Sequence, residues 1–196
     1  MAVIGSRAQA MEATRLRILD AARELLGHAP DASMSDVAAA AGVVRRTLYG
    51  YFPARSDLVR ALATQAAAEM TTLLQRSRGS SSPADEVWAQ FVTELWPLAH
   101  RYRVLLALRR GNHGAEIHTV LHSVDEAIAG VISHGQEDGV FGMHLPPDVL
   151  ARLSSATVFA LADERRDTWE PDASGAVTTS LLMLGVPAHR VSELVA

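Results

Sequence analysis

The residues best suited to a chemical task form one short segment, and the task is recognition. Arg45 and Arg46 are adjacent, and Thr47 follows them. An arginine can donate two parallel hydrogen bonds to guanine O6 and N7, and a threonine can contact a base or a thymine methyl group. Tyr49 and Tyr51 come next, and tyrosine hydroxyls suit phosphate oxygens. By themselves Arg45 and Arg46 could equally be a solvated face, and the two tyrosines could pack locally. Contact with double-stranded DNA is favoured once these residues lie on a helix that enters the major groove.

A short helix must present these side chains. Val44, Leu48 and Phe52 recur at i, i+4 and i+8, which predicts a helix that turns all three towards a core. Arg45 and Tyr49 then share the outward face. Arginine at the leading end of such a helix is well placed for base edges.

Two more helices must precede this one. The pattern predicts a helix over about 12–26 and a second over about 34–41. Ser33 and Asp36 have the spacing of a capping box at the start of the second helix. Gly42 suits the positive φ of the turn after it. Short helices joined by a glycine-containing turn make a helix-turn-helix, whose second helix enters the major groove.

Helical periodicity continues along the rest of the chain, whereas the alternation typical of strands is nearly absent. We predict a fourth helix over about 55–75, and the run from Gly79 to Pro83 is the most linker-like segment. Further helices are expected at about 84–95, with a continuation to about 110 that Pro97 interrupts, and at about 115–136, 147–165 and 173–185. The predicted fold class is all-α, with an amino-terminal three-helix module and a carboxy-terminal helical body.

Composition excludes several kinds of chemistry. All 18 basic residues are arginine, and cysteine is absent. Disulfides, thiolate nucleophiles, Schiff-base lysines and Walker-A lysines are therefore excluded. The chain also lacks G-x-S-x-G, H-E-x-x-H and the Rossmann fingerprint. His118 and His122 lie one turn apart but outside the apolar stripe of their helix, so we expect them towards solvent or a subunit contact. We predict no metal site and no cofactor.

The net charge of −4 is unevenly distributed. Residues 1–60 hold eight arginines and six acidic residues, and residues 61–196 hold ten and sixteen. A mildly basic front on an acidic body suits a small module that binds a polyanion. The start of the chain has no apolar signal core, and the longest apolar runs are far too short to span a bilayer. We therefore expect a cytoplasmic protein without a membrane partner.

The carboxy-terminal body carries most of the aromatic residues. A cavity for a small molecule needs inward-facing apolar side chains, and so does an ordinary core. Our hypothesis is that a cavity for an apolar effector is lined by Trp88, Phe91, Trp96, His100, Met143 and Phe159. Core packing of the same residues is the alternative.

Three stretches, in order and with the right gaps, resemble the TetR (tetracycline repressor) family of bacterial regulators. They are ILDAA at 18–22, MSDVAAAAGV at 34–43 and TLYGYFPARSDL at 47–58. The match is specific for residues 12–60, and beyond them only length and helicity agree. The resemblance implies an all-α homodimer on a palindromic operator, with a pocket whose ligand weakens DNA binding. It implies a DNA-binding domain with an amino-terminal arm at 1–60 and a ligand-binding and dimerisation domain at 61–196.

The same resemblance implies roles for individual residues. The implied DNA contacts are Ser33 and Ser35 at phosphates, Arg45 and Thr47 at bases, and Tyr49, Tyr51 and Arg55 on the backbone. Val44 stands where the family usually has Ser or Thr, so the second helix of the pair lacks a side-chain cap. Arg46 stands where a small residue is common, and Gly50 where a basic residue often occurs. We therefore add Arg46 to the DNA-contacting residues, with an altered base preference.

Two late helices carry the apolar positions Leu150, Leu153, Thr157 and Leu161, then Val177, Leu181 and Leu184. By resemblance these positions pair with a second subunit, and internal packing is the alternative.

The predicted function is a ligand-responsive transcriptional regulator, a repressor released from its operator when an effector changes the angle of the fourth helix. Two alternatives remain open. A DNA-binding dimer that senses no ligand would lack a functional cavity. An all-α enzyme would lack specific DNA binding, and the missing motifs argue against it.

Overall fold

The computed structural model describes residues 2–78, 82–105, 108, 113–164 and 172–196. Within these residues the chain forms nine α-helices of seven or more residues and no strand, which confirms the predicted all-α class. The helices are α1 (Ala2–His28), α2 (Met34–Ala40), α3 (Arg45–Tyr51), α4 (Arg55–Arg78), α5 (Ala84–Arg101), α6 (Gly114–Glu137), α7 (Pro147–Asp163), α8 (Ala173–Met183) and α9 (Ala188–Val195).

Packing divides the chain into two compact units. The first comprises Met1–Gln65 with Val104–Thr119, and the second comprises Ala66–Arg103 with Val120–Ala196. The division falls inside α4, a single helix that contributes residues to both units. These units are defined by contacts and not by function, so the functional boundary at residue 60 stays a prediction. Part of the linker-like run Gly79–Pro83 lies outside the described residues.

The first unit is built around one buried stripe on α1. Ile18, Ala22 and Leu26 are fully buried there. Helix α1 packs against α2, and α2 packs against α3. From these two short helices Val37 and Leu48 are also fully buried. The three helices predicted as a helix-turn-helix module therefore share one core.

Helix α1 begins about ten residues before the predicted start near Glu12. The segment 7–13 is exposed throughout, so it carries no buried stripe that periodicity could reveal. It contains no proline or β-branched residue to oppose the helix.

Helix α5 is the centre of the second unit, where it packs against α7 and α8. Trp88, Phe91 and Val92 of α5 are buried to 1% exposure or less. The Trp88 indole Nε1–H donates a hydrogen bond of 3.0 Å to Ser180 Oγ on α8, and Ser180 is fully buried as well. This polar contact joins two helices inside an otherwise apolar core.

Pro97 does not interrupt α5, contrary to the prediction. A proline within a helix removes one backbone donor and crowds the preceding turn. Leu95, Leu98 and Ala99 are all buried, and their packing holds the helix on both sides of the proline while Pro97 itself is exposed. The helix ends at Arg101, and part of the predicted continuation to about residue 110 lies outside the described residues.

The short helix α9 was not predicted. Arg190 ties it to the start of α5, with Nε 2.8 Å from Asp85 Oδ2 and Nη2 2.9 Å from Glu86 Oε1. Both partners lie more than a hundred positions earlier in the chain, so local periodicity could not reveal the contact.

Candidate nucleic-acid interface

A reciprocal cap fixes the start of α2. Ser33 Oγ accepts a hydrogen bond from the Asp36 backbone N–H at 3.3 Å, and the Ser33 backbone N–H donates to Asp36 Oδ2 at 2.8 Å. The Ser33 hydroxyl also donates to Asp36 Oδ2 at 2.7 Å. These bonds, from the Ser33 hydroxyl first and its backbone second, hold the pKa of the Asp36 carboxyl below its ordinary value of 3.8. The predicted capping box is confirmed, and Ser35 lies half-buried in the first turn.

The turn into α3 has the predicted glycine and an uncapped helix start. Gly42 adopts φ +63°, which an L side chain rarely adopts. Val44 is the N-cap residue of α3 and makes no side-chain cap bond, as predicted. The prediction that Val44 faces the core is wrong, because its side chain is 69% exposed. Its backbone is extended (φ −74°, ψ 151°) and lies outside the helix, so helical periodicity does not set its direction.

Helix α3 presents one polar face. Leu48 is fully buried and anchors the helix, while Arg45, Arg46 and Tyr49 are exposed and Thr47 is half-buried. Neither arginine makes a hydrogen bond or ion pair with any residue in the described ranges. The two guanidinium groups are therefore free to donate to a ligand in solvent.

Tyr51 and Phe52 lie at the end of α3. Phe52 is buried, and the Arg15 guanidinium of α1 lies 5.9 Å from its ring centroid. Tyr51 is half-buried, with its ring centroid 6.5 Å from that of Phe52. A shallow groove of about 310 Å³ lies beside Tyr51, with Arg15 and Arg60 in its lining.

Arg55 is placed differently from its implied contact with the DNA backbone. It is the first residue of α4 and is half-buried. Its Nη1 donates to the carbonyl oxygen of Ala32, and its Nη2 donates to that of Pro30. The sequence did not indicate this contact, because the partners lie 23 and 25 positions away.

The six predicted effector-binding residues fall into separate settings within the second unit. Trp88 and Phe91 are buried and lie 5.9 Å apart between ring centroids. Trp96 and His100 are half-buried and meet edge to face at 4.6 Å. Phe159 of α7 is also half-buried.

Met143 is 77% exposed in the segment between α6 and α7. Four of the six side chains therefore form two separate aromatic contacts, Trp88 with Phe91 and Trp96 with His100. A shared cavity for all six stays a prediction.

A groove that the sequence did not indicate lies between α4 and α5 within the second unit. Its volume is about 380 Å³. Glu69 forms one wall, where it accepts hydrogen bonds from Arg101 at 2.9 Å and from the Tyr102 hydroxyl at 2.7 Å. The lining residues are Ala68, Glu69, Thr72, Leu73, Arg76, Glu94, Pro97, Leu98 and Arg101. None of them was predicted to bind an effector.

The histidines of α6 lie at the surface, as predicted. His118 and His122 are both exposed, and His122 Nε2 is 3.4 Å from Glu126 Oε1. Among the described residues no group of three or more histidine and carboxylate side chains could hold a metal ion. No described helix is long and apolar enough to cross a membrane.

Comparison with known proteins finds relatives of the helix-turn-helix segment. The model for "Bacterial regulatory proteins, tetR family" matches residues 18–62. The HTH-type transcriptional repressor LfrR of Mycolicibacterium smegmatis is 45% identical over 76 residues, which are 39% of this chain and 40% of LfrR. The structure of LfrR from Mycobacterium smegmatis in complex with proflavine is 28% identical, with a TM-score of 0.69 over 90% of this chain and 96% of that one. Residues 18–62 thus match the TetR family, and the fold is similar to that of the TetR-like regulator LfrR.

A more distant structure has a similar fold. RolR in complex with resorcinol is 22% identical and has a TM-score of 0.64, with 96% of each chain covered. The alignment with LfrR as a curated sequence spans only 40% of that protein's length. LfrR is a transcriptional regulator, which agrees with the prediction that the chain is not an enzyme.

Proposed function

We propose that this chain is a transcriptional repressor of the TetR family that binds a palindromic operator and leaves it when a small molecule occupies the second unit. The observation that carries the proposal is the exposed face of α3. Arg45 and Arg46 point to solvent without a protein partner, on a helix anchored by buried Leu48. Unpaired guanidinium groups on a rigid helix are suited to base edges.

The remaining proposed DNA contacts lie on α2 and α3. Arg45, Arg46 and Thr47 contact bases, and the hydroxyls of Tyr49 and Tyr51 contact phosphate. Ser33 and Ser35 at the start of α2 also lie at phosphates. The Ser33 hydroxyl already donates to Asp36, so a phosphate there would compete with the capping box.

Selection from a randomised duplex library tests the DNA-binding half of the proposal. The full chain is purified, bound duplexes are sequenced, and the best is titrated by fluorescence anisotropy across salt concentration. We expect a two-fold-symmetric consensus whose affinity falls steeply with salt. Weak binding without any consensus would overturn the proposal.

Single substitutions assign the bases. Each bidentate arginine–guanine contact accounts for about 1–3 kcal/mol of discrimination. Arg45→Ala and Arg46→Ala should each relax the preference at one position of the half-site. Arg17→Ala is the matched control, because Arg17 is exposed on α1, and it should leave the consensus unchanged. A consensus that survives both α3 substitutions would show that the base contacts lie elsewhere.

Proflavine is the first probe for the effector, since LfrR has been crystallised with it. If it is an effector here, it should release labelled operator, and operator should weaken proflavine binding by the same factor. Trp96→Leu tests the predicted aromatic cavity, and Glu94→Gln tests the groove between α4 and α5. The variant that weakens proflavine binding identifies the site.

A DNA-binding dimer that senses no ligand is the second candidate. The observation that favours it is the hydrogen bond between Trp88 and Ser180, which makes Trp88 an ordinary core residue. Operator binding that ignores proflavine, resorcinol and a wider panel of lipophilic compounds would support this candidate.

We also propose a homodimer in the cytoplasm. Leu153 of α7 and Leu182 of α8 are 44% and 48% exposed, whereas Leu150, Val177 and Leu181 are buried within the protomer. Leu153 is one of the predicted dimer positions, whereas Leu182 was not predicted. Both side chains expose apolar surface that a second subunit can cover. A two-fold symmetric dimer suits a palindromic operator because its two copies of α3 contact equivalent half-sites.

A further inference from the structure

The guanidinium of Arg55 links the two ends of the helix-turn-helix. Its two acceptors, the carbonyl oxygens of Pro30 and Ala32, lie in the turn between α1 and α2. Arg55 itself begins α4, after α3 has ended. The chain between Ala32 and Arg55 therefore contains all of α2, the turn at Gly42 and all of α3.

Both acceptors need an external donor. They precede the N-cap Ser33, so no amide of α2 reaches them through the helical pattern. A guanidinium offers several N–H donors in a rigid plane and can bond two carbonyl oxygens at once. The bond pair fixes the position of Ser33, and hence of the start of α2, relative to the start of α4.

We propose that Arg55 is a positioning residue that closes the helix-turn-helix, and that it does not contact DNA phosphate. Both terminal nitrogens donate to backbone oxygens, so a phosphate contact would have to compete with them. This inference rests on the proposed DNA-binding function. It reassigns a residue for which the family resemblance implied a contact with the DNA backbone.

Hydrogen exchange of the full chain without DNA tests whether Arg55 holds the turn before α2, independently of DNA binding. In Arg55→Gln the amides of residues 32–37 should exchange about tenfold faster or more, because two hydrogen bonds to the preceding turn are lost. Arg55→Lys keeps the charge but not the planar fork, so exchange there should also accelerate. Arg60→Gln is the control, since it removes an exposed guanidinium of α4 that pairs only with nearby Asp57, and it should leave these amides unchanged.

Salt dependence of operator binding separates positioning from phosphate contact. Each neutralised phosphate contributes about 0.9 to the slope of log K against log salt concentration. A positioning role predicts that Arg55→Gln and Arg55→Lys both weaken binding with the slope unchanged. A phosphate role predicts a slope smaller by about 0.9 per protomer in Arg55→Gln and nearly normal binding in Arg55→Lys.

The outcomes separate the positioning role of Arg55 from the proposed DNA-binding function. Unchanged exchange in Arg55→Gln, or a reduced slope, overturns the positioning role. A wild-type chain that binds no duplex overturns the proposed function instead, while the exchange result still decides whether Arg55 holds the turn.

Discussion

The side chain of Val44 leaves α3 without a cap at its amino-terminal end. It occupies the N-cap of α3 with an extended backbone, and its apolar side chain accepts no hydrogen bond from the first turn. Serine, threonine, aspartate and asparagine are the residues that fill this role. The preceding helix has such a residue in Ser33, so only one of the two short helices is capped at its start.

Val44→Ser should therefore stabilise the protein. An N-cap hydroxyl contributes about 1 kcal/mol, which for a chain of this length raises the melting temperature by about 2–4 °C. Val44→Ala is the control, since it removes the β-branch without supplying an acceptor. Thermal unfolding followed by circular dichroism measures the difference, and equal melting temperatures for the two variants would contradict the expected cap.

Ser33→Ala is the complementary change at α2. It removes the hydroxyl that accepts from the Asp36 amide and donates to the Asp36 carboxylate. We expect a loss of about 1 kcal/mol in the free energy of unfolding. Urea unfolding provides the measurement, with Ser192→Ala in α9 as the control, because Ser192 bonds only a carbonyl of its own helix. A similar loss in both variants would remove the special role of the cap.

The capping box also makes stability depend on acid pH. The pKa of Asp36 is lowered in the folded state, so its stabilising effect is complete above the ordinary value of 3.8. The effect is lost as the pH falls through the lower folded pKa. Asp36→Asn should therefore be less stable than the wild type at neutral pH, and the two should converge at strongly acid pH. Urea unfolding at a series of pH values measures this, and a difference that persists in acid would assign the effect to something other than the charge.

At the scale of whole helices, the second unit depends on one buried polar contact. The Trp88 indole donates to Ser180 Oγ, which in turn donates to the carbonyl oxygen of Val177 at 3.1 Å. Both side chains are buried, so the loss of either partner leaves a polar group without a substitute from solvent.

Ser180→Ala should cost about 1–3 kcal/mol, because it leaves the indole N–H unpaired in the core. Trp88→Phe removes that donor together with some packing. In the Trp88→Phe background the serine substitution should cost less, since no indole N–H remains. A double-mutant cycle by urea unfolding gives the coupling. Additive costs would show that the hydrogen bond between α5 and α8 contributes little.

Helices with a buried stripe and a cap could be predicted from the sequence. Those whose placement depends on distant partners could not. The position of α2 follows from Ser33 and Asp36, which are three residues apart. Helix α9 and the turn before α2 are instead held by Arg190 and Arg55, whose partners lie far away in the chain.

The site shows the same division between local and distant effects. The outward face of α3 followed from the spacing of Leu48 and Phe52. The direction of Val44 did not, because it precedes the helix. An effector cavity is a property of the packed helices, and aromatic composition could not distinguish Trp88 in a core from a side chain in a pocket.

At the scale of the whole molecule, the proposed function requires a second copy of the chain. One short reading helix contacts few base pairs, and a palindrome doubles the contacts only if two copies bind together. The exposed leucines Leu153 and Leu182 lie on consecutive long helices of the second unit. They are the exposed large apolar side chains among the described residues of α7 and α8.

Leu153→Glu combined with Leu182→Glu should convert the dimer into a monomer. Charges on both helices oppose burial of this face, because an unpaired buried carboxylate is strongly unfavourable. Operator affinity should fall roughly a hundredfold or more, since the second half-site no longer binds at high effective concentration. Light scattering measures the mass, and anisotropy with intact and half operators measures binding. Met11→Glu, an exposed apolar position in the first unit, is the control for mass. A double variant that stays dimeric would place the interface elsewhere, and a monomer with full operator affinity would show that pairing is not needed for recognition.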